Sequence, residues 1–399
     1  MTTAPTTPTV PEHLRVSPAG MASGAAAETQ RPAPAAESAT AVEPGPAVGT
    51  GAATDGPSRG QRLRRHSLAS LLEETDEAMR SGVPPGARVW ATGFDALDRI
   101  LGGGLRSGEL VLLAGAQAKG KTMVGLQLAR EAVARGGAAV LFSFEHEAHT
   151  LVERLLALEA AVAADATGEE RRSELVAGIH DFRLAFESRP EAGSSLRSRL
   201  AMLPFGVEAL DALTAYGPRL HIHESNAGTT AAQIAAVVAE VARDTGQPPL
   251  VLVDYLQKVP TDVAGGEEER VSKVADSLKD FALDAGLPVV AISAADKGIL
   301  GAGHRMRSHH LRGSSALAYE SDIVLVLSDK DDIVSREHLV YDLGNAERFH
   351  AWTVLSVEKN RHGLDHVDLE FPKDFAHARL VPTGRRVVER LIEERVFTS

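Results

Sequence analysis

The stretch "LVLLAGAQAKGKTMVGLQLAREAVARGG", Leu110 to Gly137, decides the fold. Leu110 to Gly115 is a short apolar run, the pattern of a strand buried on both faces. Met123 to Gly137 is amphipathic at helical spacing and stops on glycine. Between them, Gly115-Ala116-Gln117-Ala118-Lys119-Gly120-Lys121-Thr122 fits G-x-x-x-x-G-K-[ST]. The glycines allow a tight turn whose backbone N–H groups face phosphate oxygens. The helix that follows offers its positive dipole end to the same anion. Lys121 is spaced to reach the outer phosphates, and the Thr122 hydroxyl is a magnesium ligand. The nucleotide-binding set is therefore Gly115, Ala116, Gln117, Ala118, Lys119, Gly120, Lys121, Thr122 and Met123. The strand before and the helix after supply the context that separates this motif from a chance match.

Working outward, six further apolar runs read as strands: "AAVLFSFE", "RLHIHES", "PLVLVDYLQ", "LPVVAISA", "SDIVLVLS" and "WTVLSVEKN". "VDLEF" alternates like an edge strand. Helical stretches such as "TTAAQIAAVVAEVARDTG" separate the early strands, while the later strands follow closely on one another. The expected fold is α/β, a mostly parallel twisted sheet with helices on both faces and antiparallel strands at one edge. Residues 163–217 are polar with helical patches and read as an excursion from the sheet. In an open parallel sheet, groups at the carboxyl ends of strands face the ligand crevice. Asp254 ends "LVLVD", where a carboxylate holds magnesium with Thr122. Glu145 ends "VLFSFE", where a carboxylate takes the proton of an attacking water.

The whole chain has 399 residues, 44% of them hydrophobic and only 4% aromatic, which is enough for a sizeable core. It has no cysteine, so disulfides and thiolate metal sites are excluded. No apolar stretch of about 18 residues and no secretory leader stand out, so the expected location is the cytoplasm without a membrane. The net charge of −12 excludes a general nucleic-acid coat and leaves only a local patch for such contact. Residues 1–60 are rich in Pro, Ala, Thr and Gly and read as a disordered tail, solvated or holding an unknown partner. Within 61–89, Leu68, Leu71, Leu72, Thr75 and Met79 fall at helical spacing behind a capping Ser67. The main domain then covers 90–381. Residues 382–399 form a C-terminal tail whose "RRVVERLIEERVF" is spaced for an amphipathic helix.

From Ser67 to Leu380 these segments resemble the C-terminal ATPase domain of the DnaB replicative helicase family, within the RecA-like group. "TGFDALDRILGGGL" looks like that family's TGF-x-x-LD segment. "FSFEHEAHTLVERLLALEA" looks like its FSLEM…RLLA-x-EA segment, "LVLVDYLQ" like its IDYLQ strand, and "LRGSSALAYESDIVLVL" like its LR-x-SG-x-IEQDAD segment. "VEKNRHG" resembles AKQRNG. The resemblance implies a RecA-like fold, ATP and magnesium as cofactors, and DNA unwinding or translocation. It implies a homo-oligomer, a ring of six copies with a nucleotide at each interface. It makes the helix within 61–89 a linker helix that docks on the next copy. It adds Gln257 to the nucleotide set and makes Glu145 and Lys121 catalytic. Lys359 and Arg361 would project into the neighbouring copy's site, where such an arginine stabilises charge on the transferred phosphoryl group.

The match breaks in three places. The family's N-terminal helical collar is replaced by the tail. Ala294 stands where the family's glutamine senses the γ-phosphate. "GGGL" and "LLAGA" lean toward the KaiC and RadA branches. The alternative reading is therefore an ATP-switched regulatory or assembly protein without unwinding. Single-stranded DNA contact is expected from the glycine-rich basic loop "DKGILGAGHRMRSHHLRGSS", through Lys297, Arg305, Arg307 and Arg312. His309 and His310 are adjacent with no acid at ligand spacing, and His221 and His223 share a strand face, so neither pair reads as a metal site.

Overall fold

The computed structural model describes residues 66–392 except 83, 85, 169–175, 190–191, 295–304, 312–313, 336–337 and 339–342. The expected disordered tail over 1–60 lies outside the described residues. Helix α1 (Leu68–Arg80) buries no residue. Its Leu68, Leu71, Leu72 and Met79 are exposed, so the apolar stripe read from the sequence has no partner within the described residues.

A two-stranded antiparallel ribbon, β1 (Val89–Trp90) and β2 (Leu105–Arg106), flanks helix α2 (Asp95–Leu101). Gly104 closes this ribbon with φ +133°, and a Cβ there would lie 2.2 Å from the Trp90 carbonyl oxygen. Only glycine fits that approach.

The core sheet begins with β3 (Leu110–Gly115), followed by α3 (Lys121–Ala134) and β4 (Ala138–Ser143). Helices α4 (Ala148–Asp165), α5 (Ile179–Glu187), α6 (Leu196–Leu200) and α7 (Gly206–Tyr216) form the excursion. Then come β5 (Leu220–Glu224), α8 (Ala231–Thr245), β6 (Pro249–Asp254), α9 (Glu267–Ala285) and β7 (Val289–Ala294). The chain continues through α10 (Ser314–Glu320), β8 (Ile323–Asp329), α11 (Lys330–Ile333) and α12 (Leu343–His350). It ends with β9 (Trp352–Asn360), β10 (Val367–Asp374), β11 (Arg379–Leu380) and β12 (Arg385–Arg386).

The strand order is β11-β10-β9-β8-β3-β7-β6-β4-β5, with β12 added on β10. From β8 to β5 every pairing is parallel, and from β8 outward to β11 and β12 every pairing is antiparallel. The reason is connection length. Helices carry the chain back between β3, β4, β5, β6 and β7, whereas β9 and β10 are joined by a short turn. Every residue of β3, β4 and β6 is buried, which accounts for their unbroken apolar runs.

The excursion has its own small core of Leu156, Ala157, Ala160, Ala177, Phe182, Leu200 and Ala209. A buried carboxylate ties it to the sheet layer. Glu159 accepts two bonds from Arg130 on α3, at 2.7 and 2.9 Å, and one from the Tyr216 hydroxyl at 2.9 Å.

The C-terminal stretch differs from the expected helix. Its described part adds strand β12 to β10 and a bridge from Leu391 to Val334. The cause lies in the core beneath it: Glu370, fully buried on β10, takes Arg385 at 2.6 Å and Lys330 as its cations, and Lys330 also donates to Glu389 at 2.7 Å. Satisfying that buried carboxylate outweighs local helical periodicity. Residues 393–399 lie outside the described residues. Among the described residues no helix is long and apolar enough to cross a membrane.

Candidate functional site

The loop between β3 and α3 has the backbone that its glycines allow. Gly115 sits at φ +155°, where a Cβ would lie 2.8 Å from the Leu327 carbonyl oxygen of β8. Gly120 is at φ +88°, and a Cβ there would press on the Phe375 ring at 3.3 Å. Ala118 holds φ +62° without being glycine. Lys121 and Thr122 open α3, at the helix end that attracts anions.

Lys121 donates to the Ala116 carbonyl of its own loop at 2.7 Å. Burial lowers the pKa of its ammonium, and the charges of Asp254 and Glu145 oppose that shift. Thr122 Oγ1 donates to Asp254 Oδ2 at 2.7 Å. Asp254 is 1% exposed. Burial first, then the charge of Glu145, pushes its pKa up to about 6, against the Thr122 bond and the charges of Lys121 and Arg154. Among the described residues no cation forms an ion pair with this deeply buried carboxylate. Magnesium takes oxygen ligands, usually from one or two carboxylates with water and phosphate. The adjacent Thr122 and Asp254 oxygens fit that requirement.

Strand β4 stops at Ser143, so Glu145 lies two residues beyond it and is exposed. Register holds this segment near Asp254. Ser143 pairs with Asp254, and Phe144 N donates to the Asp254 carbonyl at 2.8 Å. Gln257 follows Asp254 in a single turn. Its amide donates to Ser293 Oγ at 2.9 Å and accepts from Ala294 N at 3.2 Å, so it clamps the ends of β6 and β7. Lys119 turns its side chain away to Asp329, and to Asp332 at 2.9 Å, with Lys373 on Asp329 at 2.6 Å.

Sequence reasoning missed Arg154. It lies on α4 and is partly buried, and its charge acts on both Asp254 and Glu145. Only its place two turns into the helix after Glu145 could have signalled it.

Lys359 and Arg361 lie at the other end of the sheet. Strand β9 runs against β8, pairing Asn360 with Ile323, where β8 begins. The phosphate loop leaves β3 at Gly115, opposite Leu327. Four strand steps between these ends, Ile323 to Leu327, make roughly 13 Å. Neither cation reaches the loop of its own chain. Lys359 Nζ donates to the carbonyls of Ala318, Tyr319 and Ser321 at 2.7, 3.1 and 2.5 Å. Burial, then the charge of Arg361, lowers the pKa of its ammonium. Arg361 Nη1 meets Asp322 Oδ1 at 2.9 Å, and its side chain is 49% exposed.

Two of the residues expected to contact DNA are held in ion pairs within the chain. Arg305 is 5% exposed, with its guanidinium on Asp368 and on Ser356 Oγ at 3.2 Å. Arg307 donates to the buried Glu358 at 2.8 Å. Ser356 and Glu358 are two apart on one face of β9, and Arg305 and Arg307 are two apart above them. The arginines neutralise this face instead of facing solvent. Lys297 and Arg312 lie outside the described residues. The His309 and His310 rings meet edge to face with centroids 3.9 Å apart, and among the described residues no cluster of metal-ligating side chains occurs.

A phosphate loop, a Thr–Asp pair beneath it and a sheet centred on β3 define a domain of RecA-like P-loop fold. The chain belongs to the DnaB-like helicase C terminal domain family, whose model matches residues 90–182 and 208–379. The unmatched interval falls in the excursion. Curated relatives include the replicative DNA helicase DnaB of Pasteurella multocida, 25% identical over 290 residues, 72% of this chain and 54% of that protein. Another is DnaB of Rhodothermus marinus, 26% identical over 302 residues, 73% of this chain and 28% of that protein. The chain thus spans about half or less of these relatives' length. Among solved structures, an ATPase domain aligns with TM-score 0.59 at 19% identity, covering 80% of this chain and 99% of that one. A DnaB-like replicative helicase studied for its interactions with primase aligns with TM-score 0.60 at 18% identity, covering 79% and 68%.

Proposed function

We propose that this chain hydrolyses ATP with magnesium and couples hydrolysis to movement on single-stranded DNA, as a helicase or translocase. It works in the cytoplasm as a ring of copies, six in the family pattern. The observation that carries this reading is the division of groups between two sheet ends. Lys121, Thr122, Asp254 and Glu145 converge at one end, and Lys359 with Arg361 stand at the other, out of reach of their own loop. A complete site then needs an adjoining copy.

In this reading Lys121 leaves the Ala116 carbonyl for the outer phosphates. Thr122 and Asp254 would hold magnesium, which would supply charge neutralisation to those phosphates. Glu145 takes the proton of the attacking water. The neighbour's Arg361 stabilises charge on the transferred phosphoryl group, with Lys359 beside it.

The test is ATP turnover with and without single-stranded DNA at low salt, beside mass in solution with ATP and magnesium. Stimulation by DNA and a mass above one chain are expected. No stimulation together with no DNA binding overturns the motor, and a lone monomer overturns the contribution in trans. A second reading, an ATP-switched assembly protein without unwinding, gains support from Ala294 and from the carboxylate pairing of Arg305 and Arg307. It requires turnover indifferent to DNA.

A further inference from the structure

Asp322 is the last residue before β8 and is 2% exposed. A buried carboxylate persists only when donors surround it. Here Oδ2 accepts from Leu110 N at 2.8 Å and from Lys279 Nζ at 2.6 Å, while Oδ1 meets Arg361 Nη1 at 2.9 Å. The backbone doubles the link. Arg361 N donates to the Asp322 carbonyl at 2.9 Å, and Asp322 N donates to the Leu110 carbonyl at 2.8 Å. Lys279 also donates to the Gly108 carbonyl at 2.8 Å, which fixes it from α9. One side chain therefore joins the start of β3, helix α9 and the end of β9.

The geometry suits holding an arginine for use elsewhere. A guanidinium has five N–H donors in a rigid fork. Asp322 engages one corner of that fork. The side chain stays 49% exposed, and no other ion pair to it occurs among the described residues. About half of the side-chain surface is thus left to solvent. A flexible arginine would lose rotamer freedom on meeting a phosphate, whereas one already fixed loses little.

We propose that Asp322 is the positioning residue of Arg361: it fixes the guanidinium at the end of β9 in the orientation that an adjoining copy's nucleotide requires. This rests on the reading that Arg361 acts in trans.

The experiment mixes full-length subunits and reads ATP turnover. Lys121→Ala subunits lack a working phosphate loop but carry Arg361, and Arg361→Ala subunits carry the loop but lack the arginine. Their mixture should regain turnover that neither has alone. Adding Asp322→Asn to the Lys121→Ala partner, which supplies the arginine, should lower the regained kcat at least about tenfold with KM for ATP unchanged. Adding it to the Arg361→Ala partner should keep the level regained by the unsubstituted mixture. Equal losses from both placements, or no loss from the first, overturn the proposal. No regain in the original mixture instead overturns the action in trans. Asp322→Glu keeps the charge for Lys279 but displaces the carboxylate. It should give the same asymmetry, and serves if the asparagine variant does not fold.

Discussion

The two ends of the parallel strands differ in how their charges are satisfied. At the loop end, Lys121 rests on a backbone carbonyl, the buried Asp254 accepts from a threonine hydroxyl, and among the described residues no ion pair joins Arg154 to either acid. At the opposite end, Asp322 has a backbone donor, a lysine and an arginine, and Lys359 has three carbonyls. One end keeps charges waiting for a ligand. The other commits its charges to rigidity. A site that must accept and release a nucleotide leaves electrostatic need unmet, whereas a group presented to a neighbour needs fixed placement.

The largest expected effect separates the ends by kinetics. Arg361→Ala should lower kcat about 10³-fold and leave nucleotide affinity unchanged, measured by turnover and by binding of a fluorescent ATP analogue. If it weakened binding as Lys121→Ala should, the two ends would not divide their work. Next, Glu145→Gln should cost about 10²–10³-fold in turnover with nucleotide still bound. An unchanged rate would mean a binding scaffold in place of an enzyme.

The third prediction concerns unmet need directly. The folded-state pKa of Asp254 is raised from 3.8 to about 6, so the folded chain holds its proton more tightly than the unfolded chain. Stability without nucleotide should therefore fall as pH rises from about 4 to about 6. Asp254→Asn should remove that loss and stabilise the empty chain at pH 7 on the order of 2–3 kcal/mol, with no gain at pH 4. Urea unfolding at the two pH values checks this, and an equal effect at both would mean the site is not strained. The smallest effect falls on a satisfied pair. Arg305→Ala should cost about 2 kcal/mol of stability, because Asp368 loses its cation. A variant that binds DNA less well but unfolds at the same urea concentration would restore Arg305 as a surface contact.

The sheet was largely legible because its strands are buried on both faces and so are written as unbroken apolar runs. The phosphate loop was legible because a turn with φ +155° and +88° demands glycine at fixed spacing. Asp254 stands at the end of its strand, as its sequence suggested, and Glu145 two residues past the end of its own. Other features escaped. The C-terminal residues have helical spacing, yet the buried Glu370 draws Arg385 into a strand. Lys119 belongs to the loop motif, yet its ammonium goes to Asp329 and Asp332, more than two hundred positions away.

Sequence alone determined where the core strands, the helices between them and the loop lie, since period, glycine spacing and apolar runs act within a few residues. Tertiary structure alone decided which charge meets which. Arg305 and Arg307 lie in a basic loop by sequence, but the register of β9 sets Ser356 and Glu358 beneath them. Asp322 meets Arg361 because β9 returns antiparallel along β8. Burial makes an unpaired charge costly, and only the assembled sheet determines which charges are buried together.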